Sequence, residues 1–253
     1  MPDQFSLHNK IAIITGASKG IGRAIALAFG QYGATVVVSS RKQEAVDETA
    51  NEFRHMGINA HGFACHMGDM EQIKGMVDHV VKELGGVDII VNNAATNPVF
   101  APVLNSDMAA FDKIMAVNVK GPLELAKLAH PVMKQRGGGS VINISSIEGL
   151  TPGFGLGLYS ISKSALIAAT KVMAREWGAD QIRVNAICPG LVKTKFSEAL
   201  TSNDKIMKIV MAKQALPMVA EPEDITGLAV YLASDASRFN TGAIFTLDGG
   251  LTI

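Results

Sequence analysis

Short runs rich in Val and Ile alternate along this chain with longer stretches in which apolar residues recur every three or four positions. The short runs predict strands at Lys10–Thr15, Ala34–Ser39, Asn59–Cys65, Val87–Asn92, Ser140–Ser145, Arg183–Cys188 and Ala243–Leu247. The helical periodicity predicts helices near Ile21–Tyr32, Gln43–Met56, Met70–Leu84, Asp107–Met133, Tyr159–Trp177 and Glu223–Ala233. Several strands are apolar at successive positions, as in Ile11-Ala12-Ile13-Ile14 and Val36-Val37-Val38. Such strands need cover on both faces, which marks a parallel sheet. Strand–helix alternation over the whole length predicts an α/β fold, a doubly wound parallel seven-stranded sheet with helices on both faces. No linker or repeat divides it, so residues 1–253 are expected to form a single domain. Leu191–Val219 alone breaks the alternation. It follows a strand's carboxyl end and is expected to be a mobile lid over a substrate pocket.

Composition narrows this picture mainly by exclusion. Lys+Arg and Asp+Glu balance at 23 each, so bulk charge points to no nucleic-acid partner and no anionic membrane. No apolar run is long enough to span a bilayer, and the polar N-terminal residues resemble no signal core. A cytoplasmic protein is the expectation. Cys65 and Cys188 each end an apolar run and read as buried free thiols. The histidines are scattered without ligand spacing, so no metal is expected.

The first predicted strand runs into Thr15-Gly16-Ala17-Ser18-Lys19-Gly20-Ile21-Gly22, and a helix follows. Three glycines in that context allow a tight turn and close backbone approach to a diphosphate, while the helix N-terminus offers unpaired N–H groups. Gly16, Ser18, Lys19, Gly20, Ile21 and Gly22 are therefore candidate dinucleotide contacts. The end of the second strand usually carries an acid when the cofactor is NAD. Here it reads Ser39-Ser40-Arg41-Lys42, with no acid before Glu44. Arg41 and Lys42, helped by Lys19, suit a 2′-phosphate and predict NADP(H). The alternative is that Arg41 and Lys42 simply face solvent at a helix start.

Tyr159 and Lys163 lie four residues apart in a predicted helix and so share a face. A free phenol titrates near ~10 and is a poor proton carrier at neutral pH. A cation about 5 Å away, at an effective dielectric near 20, favours the phenolate by roughly 3 kcal/mol. The pair is thus a plausible acid/base device.

Thr15-Gly-x-x-x-Gly-x-Gly22, Asn92-Asn-Ala-Ala95, Asn118, Ser146, Tyr159-x-x-x-Lys163 and Pro189-Gly-x-x-x-Thr194 together resemble the short-chain dehydrogenase/reductase family. The resemblance runs from about Lys10 to Gly250. Ser39–Gln43, Cys65-His66 and Asn97-Pro98 are further similar to that family's NADP-dependent carbonyl and retinal reductases. The resemblance implies a dinucleotide-binding fold of Rossmann type and a catalytic set of Asn118, Ser146, Tyr159 and Lys163. Ser146 would hold the carbonyl oxygen, and it is preferred to its neighbour Ser145. Tyr159 would transfer the proton, and Lys163 would lower its pKa and bind the nicotinamide ribose. Asn118 would hold a water linking Lys163 to solvent. Asn93 would meet the adenosine side of the cofactor. Pro189, Gly190, Val192 and Thr194 would embrace the nicotinamide end. At His66 the family commonly has Asp, so adenine would be met either by the His66 ring or by the Met67 backbone alone.

The resemblance implies reversible hydride transfer between NADPH and a small ketone, aldehyde or dicarbonyl. A 3-oxoacyl thioester reductase is the alternative within the fold, and a non-catalytic dinucleotide sensor is the alternative of a different class. A homotetramer is implied through the helices carrying Asn118 and Tyr159.

Overall fold

The computed structural model describes residues 4–253. Its seven strands are β1 (Ile11–Thr15), β2 (Thr35–Ser40), β3 (Ala60–Ala64), β4 (Ile89–Asn92), β5 (Gly139–Ile144), β6 (Ile182–Pro189) and β7 (Ile244–Leu247). They form one parallel sheet in the order β3-β2-β1-β4-β5-β6-β7. The helices α1 (Gly20–Gln31), α2 (Gln43–His55) and α3 (Met70–Leu84) lie between the early strands. Then come α4 (Met108–Met115), α5 (Gly121–Gln135), α6 (Gly157–Trp177), α7 (Glu198–Thr201), α8 (Asp204–Lys213) and α9 (Thr226–Ala233).

Doubly apolar strands produce two cores. Ala12, Ile14, Val36 and Val38 pack with Ile25, Phe29 and Phe53 of α1 and α2. The alternate residues Ile11, Ile13 and Val37 pack with Met76, Leu125 and Met173 of α3, α5 and α6. Period-two side-chain alternation sends neighbouring residues to opposite faces, so every one of these positions must be apolar. The strand order reverses between β1 and β4. In such sheets the crevice outside the carboxyl ends at this point is where ligands bind.

A buried polar ladder crosses the second core. Asn92 Nδ2 donates to Asn143 Oδ1 at 2.8 Å, and Asn143 Nδ2 donates to Thr170 Oγ1 at 2.8 Å. The Thr170 hydroxyl donates to the Leu166 carbonyl at 2.9 Å. The ladder joins β4, β5 and α6.

The long helix expected over Asp107–Met133 is divided. A π-turn at Ala116–Lys120 separates α4 from α5. Pro122 has no N–H to donate to the Asn118 carbonyl, and its ring crowds that carbonyl, so regular α-helical geometry cannot continue. Gly121 has its own reason to be glycine. A Cβ there would lie 1.9 Å from the Met67 carbonyl oxygen. The segment expected to break the strand–helix alternation, Leu191–Val219, contains α7 and α8. A bridge between Val192 and Ala220 closes its base. Among the described residues no helix is long and apolar enough to cross a membrane.

Candidate active site

The glycine turn after β1 is built by close contact with the loop after β4. Gly16 and Gly20 have φ of 65° and 57°, in the left-handed region that favours glycine. A Cβ at Gly22 would lie 2.4 Å from Asn93 Nδ2 and 2.6 Å from the Gly16 carbonyl oxygen. The Asn93 amide donates to the carbonyls of Thr15 and Gly16 at 2.8 and 3.2 Å, so it braces this turn. The Thr15 hydroxyl accepts from the backbone of Asn93 and Ala94 at 3.0 Å each. No side chain caps the N-terminus of α1. Its first N–H groups therefore remain available beside a turn with no Cβ in the way, which fits a diphosphate. Thr194 faces the turn from the far side: a Cβ at Gly20 would lie 3.2 Å from its Cγ2.

Arg41 and Lys42 follow β2 and are exposed, as is Lys19. None of the three forms an ion pair among the described residues. His66 is fixed by its own loop. Its Nδ1 accepts from the Gly68 N–H at 3.1 Å, and its N–H donates to Gln72 Oε1 at 2.9 Å. With Nδ1 accepting, the neutral ring carries its proton on Nε2. Pro189 ends β6, Gly190 donates its N–H to Leu247, and Val192 is buried beneath the following segment.

The second half of the site forms where the turn after β5 meets α6. The Lys163 side chain is 3% exposed, and its Nζ donates to the Ile144 carbonyl at 2.7 Å. That amine lies 5.5 Å from the centre of the Tyr159 ring, so the i, i+4 geometry brings the two together as expected. Ser145 is turned away, donating to the Lys163 carbonyl at 2.9 Å. Ser146 faces Tyr159 and acts on its phenol by hydrogen bonding. Its hydroxyl oxygen also accepts from the Glu148 N–H at 3.1 Å.

The electrostatics differ from expectation in one respect. Burial pushes the Tyr159 phenol above its ordinary value, Ser146 pulls it down, and the charge of Glu148 raises it further. The lowering expected from Lys163 is not seen: desolvation penalises the phenolate more than the Ser146 hydrogen bond compensates. The same burial lowers Lys163 itself to about 8. A buried thiol, Cys188, lies near both and is raised by its own burial.

The Asn118 side chain is anchored within the protein. Its side-chain oxygen accepts from the Thr96 N–H at 2.8 Å. Its amide donates to the Thr96 carbonyl and to Ser162 Oγ at 3.0 Å each. These contacts stitch the π-turn to the β4 loop and α6.

Thr96, Ser162, Glu148 and Phe196 are site neighbours that sequence reasoning did not single out. Ser162 donates to the Tyr159 carbonyl at 2.7 Å, and the Phe196 ring lies 6.0 Å from the Tyr159 ring. Only Ser162 had a signal, its place inside the Tyr159–Lys163 turn.

A sheet with its crevice at the β1/β4 switch, a capless helix after a glycine turn and a buried Tyr–Lys pair define a dinucleotide-dependent oxidoreductase. The family model described as Enoyl-(Acyl carrier protein) reductase matches residues 16–252. Rabbit (Oryctolagus cuniculus) dehydrogenase/reductase SDR family member 4 is 39% identical over 244 residues, covering 96% of this chain and 94% of that one. A gluconate 5-dehydrogenase from Burkholderia cenocepacia, solved with NADP and tartrate, superposes with a TM-score of 0.96 at 29% identity, covering 99% and 98% of the chains. A 7α-hydroxysteroid dehydrogenase complexed with NADH and 7-oxo glycochenodeoxycholic acid gives a TM-score of 0.93 at 32% identity, covering 99% and 97%. The chain belongs to the short-chain dehydrogenase/reductase family and is an oxidoreductase of alcohol or carbonyl compounds.

Proposed function

We propose that the protein reduces a ketone, aldehyde or dicarbonyl with NADPH, with Tyr159 as proton donor. One observation carries the reading. Ser146, Tyr159 and Lys163 converge at the carboxyl end of β5, and the environment holds the phenol protonated. A protonated phenol is the form that gives a proton to a carbonyl oxygen gaining negative charge. A bound reduced nicotinamide supplies the hydride. Ser146 orients the carbonyl oxygen and steadies its developing charge. Lys163 favours the phenolate left behind and recovers a proton readily, since its own pKa lies near 8. Asn118 holds the π-turn and α6 in register.

Gly16, Ser18, Lys19, Gly20, Ile21 and Gly22 embrace the diphosphate in this reading, with Asn93 as brace. Arg41 and Lys42 take the 2′-phosphate. The relatives divide between NADP and NADH, so the preference rests on these two cations and the missing acid. His66 offers adenine a donor at Nε2, with the Met67 backbone beside it. Pro189, Gly190, Val192 and Thr194 enclose the nicotinamide end, and residues 191–219 act as the lid. A carrier-bound thioester is the second reading: Lys193 pairs with Glu221 at 3.2 Å, but Lys195, Lys205 and Lys208 form no ion pair among the described residues. Leu123, Ile161 and Val172 leave apolar surface exposed on α5 and α6, which supports association of copies into a tetramer.

The test is to mix protein, NADPH and a panel of neutral ketones while following oxidation of the nicotinamide. Tyr159→Phe should lower kcat about a thousandfold and leave NADPH binding intact. Turnover retained in that variant refutes the assignment.

A further inference from the structure

Glu148 sits two residues after Ser146, in the short turn Ile147–Gly149. Its surroundings exceed what a surface carboxylate needs. Its Oε2 accepts from the Gly153 N–H at 2.7 Å and from the Ser160 hydroxyl at 3.0 Å. Gly153 belongs to the loop leading to Phe154. Ser160 is the residue after Tyr159 on α6. The carboxylate thus ties the loop that carries Phe154 to the helix that carries the phenol. No cation pairs with it among the described residues, and Oε1 accepts no hydrogen bond. Lys163, the nearest buried cation on α6, is engaged by Ile144. A neutral Gln could make the same two contacts, so they do not by themselves require a charge.

The neighbouring loops carry exposed aromatic rings. Phe100, Phe154 and Phe196 come from the loops after β4, β5 and β6 and are 62%, 87% and 55% exposed. A Cβ on Gly155 would lie 2.9 Å from the Phe100 ring, so the first two loops touch. The Phe196 ring faces Tyr159. The charge of Glu148 acts on the Tyr159 phenol, so it acts in the same sense against a second anion seated beside that phenol.

We infer that Glu148 is a positioning and specificity residue: it fixes the Phe154 loop against α6 and reserves the pocket for uncharged carbonyl compounds by turning keto acids away. The inference rests on the reductase reading above and narrows its substrate class.

The experiment compares benzoylformate with its methyl ester as substrates for wild type, Glu148→Gln and Glu148→Asp. Wild type should prefer the ester. In Glu148→Gln the ester-over-acid ratio of kcat/KM should fall about tenfold, carried by a lower KM for the acid. Glu148→Asp keeps the charge and should keep the ratio, even though its shorter side chain loosens the loop. A ratio unchanged in Glu148→Gln, or lost equally in Glu148→Asp, overturns the inference. Quenching of NADPH fluorescence by benzoate against benzamide gives the same comparison without turnover. If no carbonyl is reduced by wild type, the reductase reading falls while the binding ratio still judges Glu148. Equal binding of benzoate and benzamide by wild type sinks the charge selection.

Discussion

Replacing Lys163 with Met should make the protein lose a pH-dependent gain in stability that the wild type possesses. Lys163 is almost wholly buried, and burial lowers it from 10.5 to about 8. That difference is worth about 3 kcal/mol. The sign follows from proton counts. Below about pH 8 both folded and unfolded chains hold the proton, and the folded chain bears the full cost of a buried cation. Between about 8 and 10.5 the unfolded chain holds a proton that the folded chain has released, so stability rises with pH. Above 10.5 the cost is gone. From about pH 7 to pH 9.5 wild type should therefore gain about 2 kcal/mol relative to Lys163→Met. The lost hydrogen bond leaves the Ile144 carbonyl unpaired, an offset of about 1–3 kcal/mol that does not vary with pH. Tyr159 and Cys188, both raised by burial, act in the opposite sense in both proteins and largely cancel in the comparison. Urea titrations of the two proteins across this pH range measure the difference directly. A difference that stays flat with pH would show that Lys163 is not penalised by its burial, and the electrostatic account of the site would fail.

Arg41→Asp should raise the KM for NADPH about tenfold or more and leave that for NADH little changed or lower, because it replaces a phosphate-binding fork with an acid suited to ribose hydroxyls. Steady-state kinetics with both cofactors decide it, and equal effects would remove Arg41 from the cofactor site. Gly121→Ala should cost about 3 kcal/mol of stability, since its new Cβ would fall 1.9 Å from the Met67 carbonyl and backbone must move. Thermal unfolding would register this as a marked drop in Tm, whereas an unchanged Tm would show that the contact relaxes freely.

The fold was largely legible because both faces of the sheet are covered. Buried strands such as Ile11–Thr15 and Thr35–Ser40 are apolar throughout, and the helices between them carry periodic apolar faces. The glycine turn and the Tyr159–Lys163 pair were legible for a similar reason: backbone geometry and helical spacing are local properties. The break at Ala116–Lys120 had a local signal too, in Gly121-Pro122, but the apolar periodicity on either side concealed it. The direction of the Tyr159 shift was not legible. It depends on how much of the phenol is desolvated and on Glu148, and burial emerges only when β5, β6 and α6 are assembled. Phe196 and Thr96 likewise reach the site from distant loops, with nothing in their flanking residues to announce it.

The ladder from Asn92 through Asn143 to Thr170 has a consequence for how such a pocket can change. Thr170 lies eleven residues beyond Tyr159 on α6, about 16 Å along the helix axis. Its bond to Asn143 of β5, which Asn92 of β4 holds in turn, indexes the helix lengthwise. A slide of even part of a turn would break that bond inside a dry core, where unpaired amides are costly. The depth at which the phenol presents itself is therefore set from the far end of its helix, by residues that never meet a substrate. Rim loops can be rewritten for a new molecule while the reacting oxygen stays at the same height above the sheet.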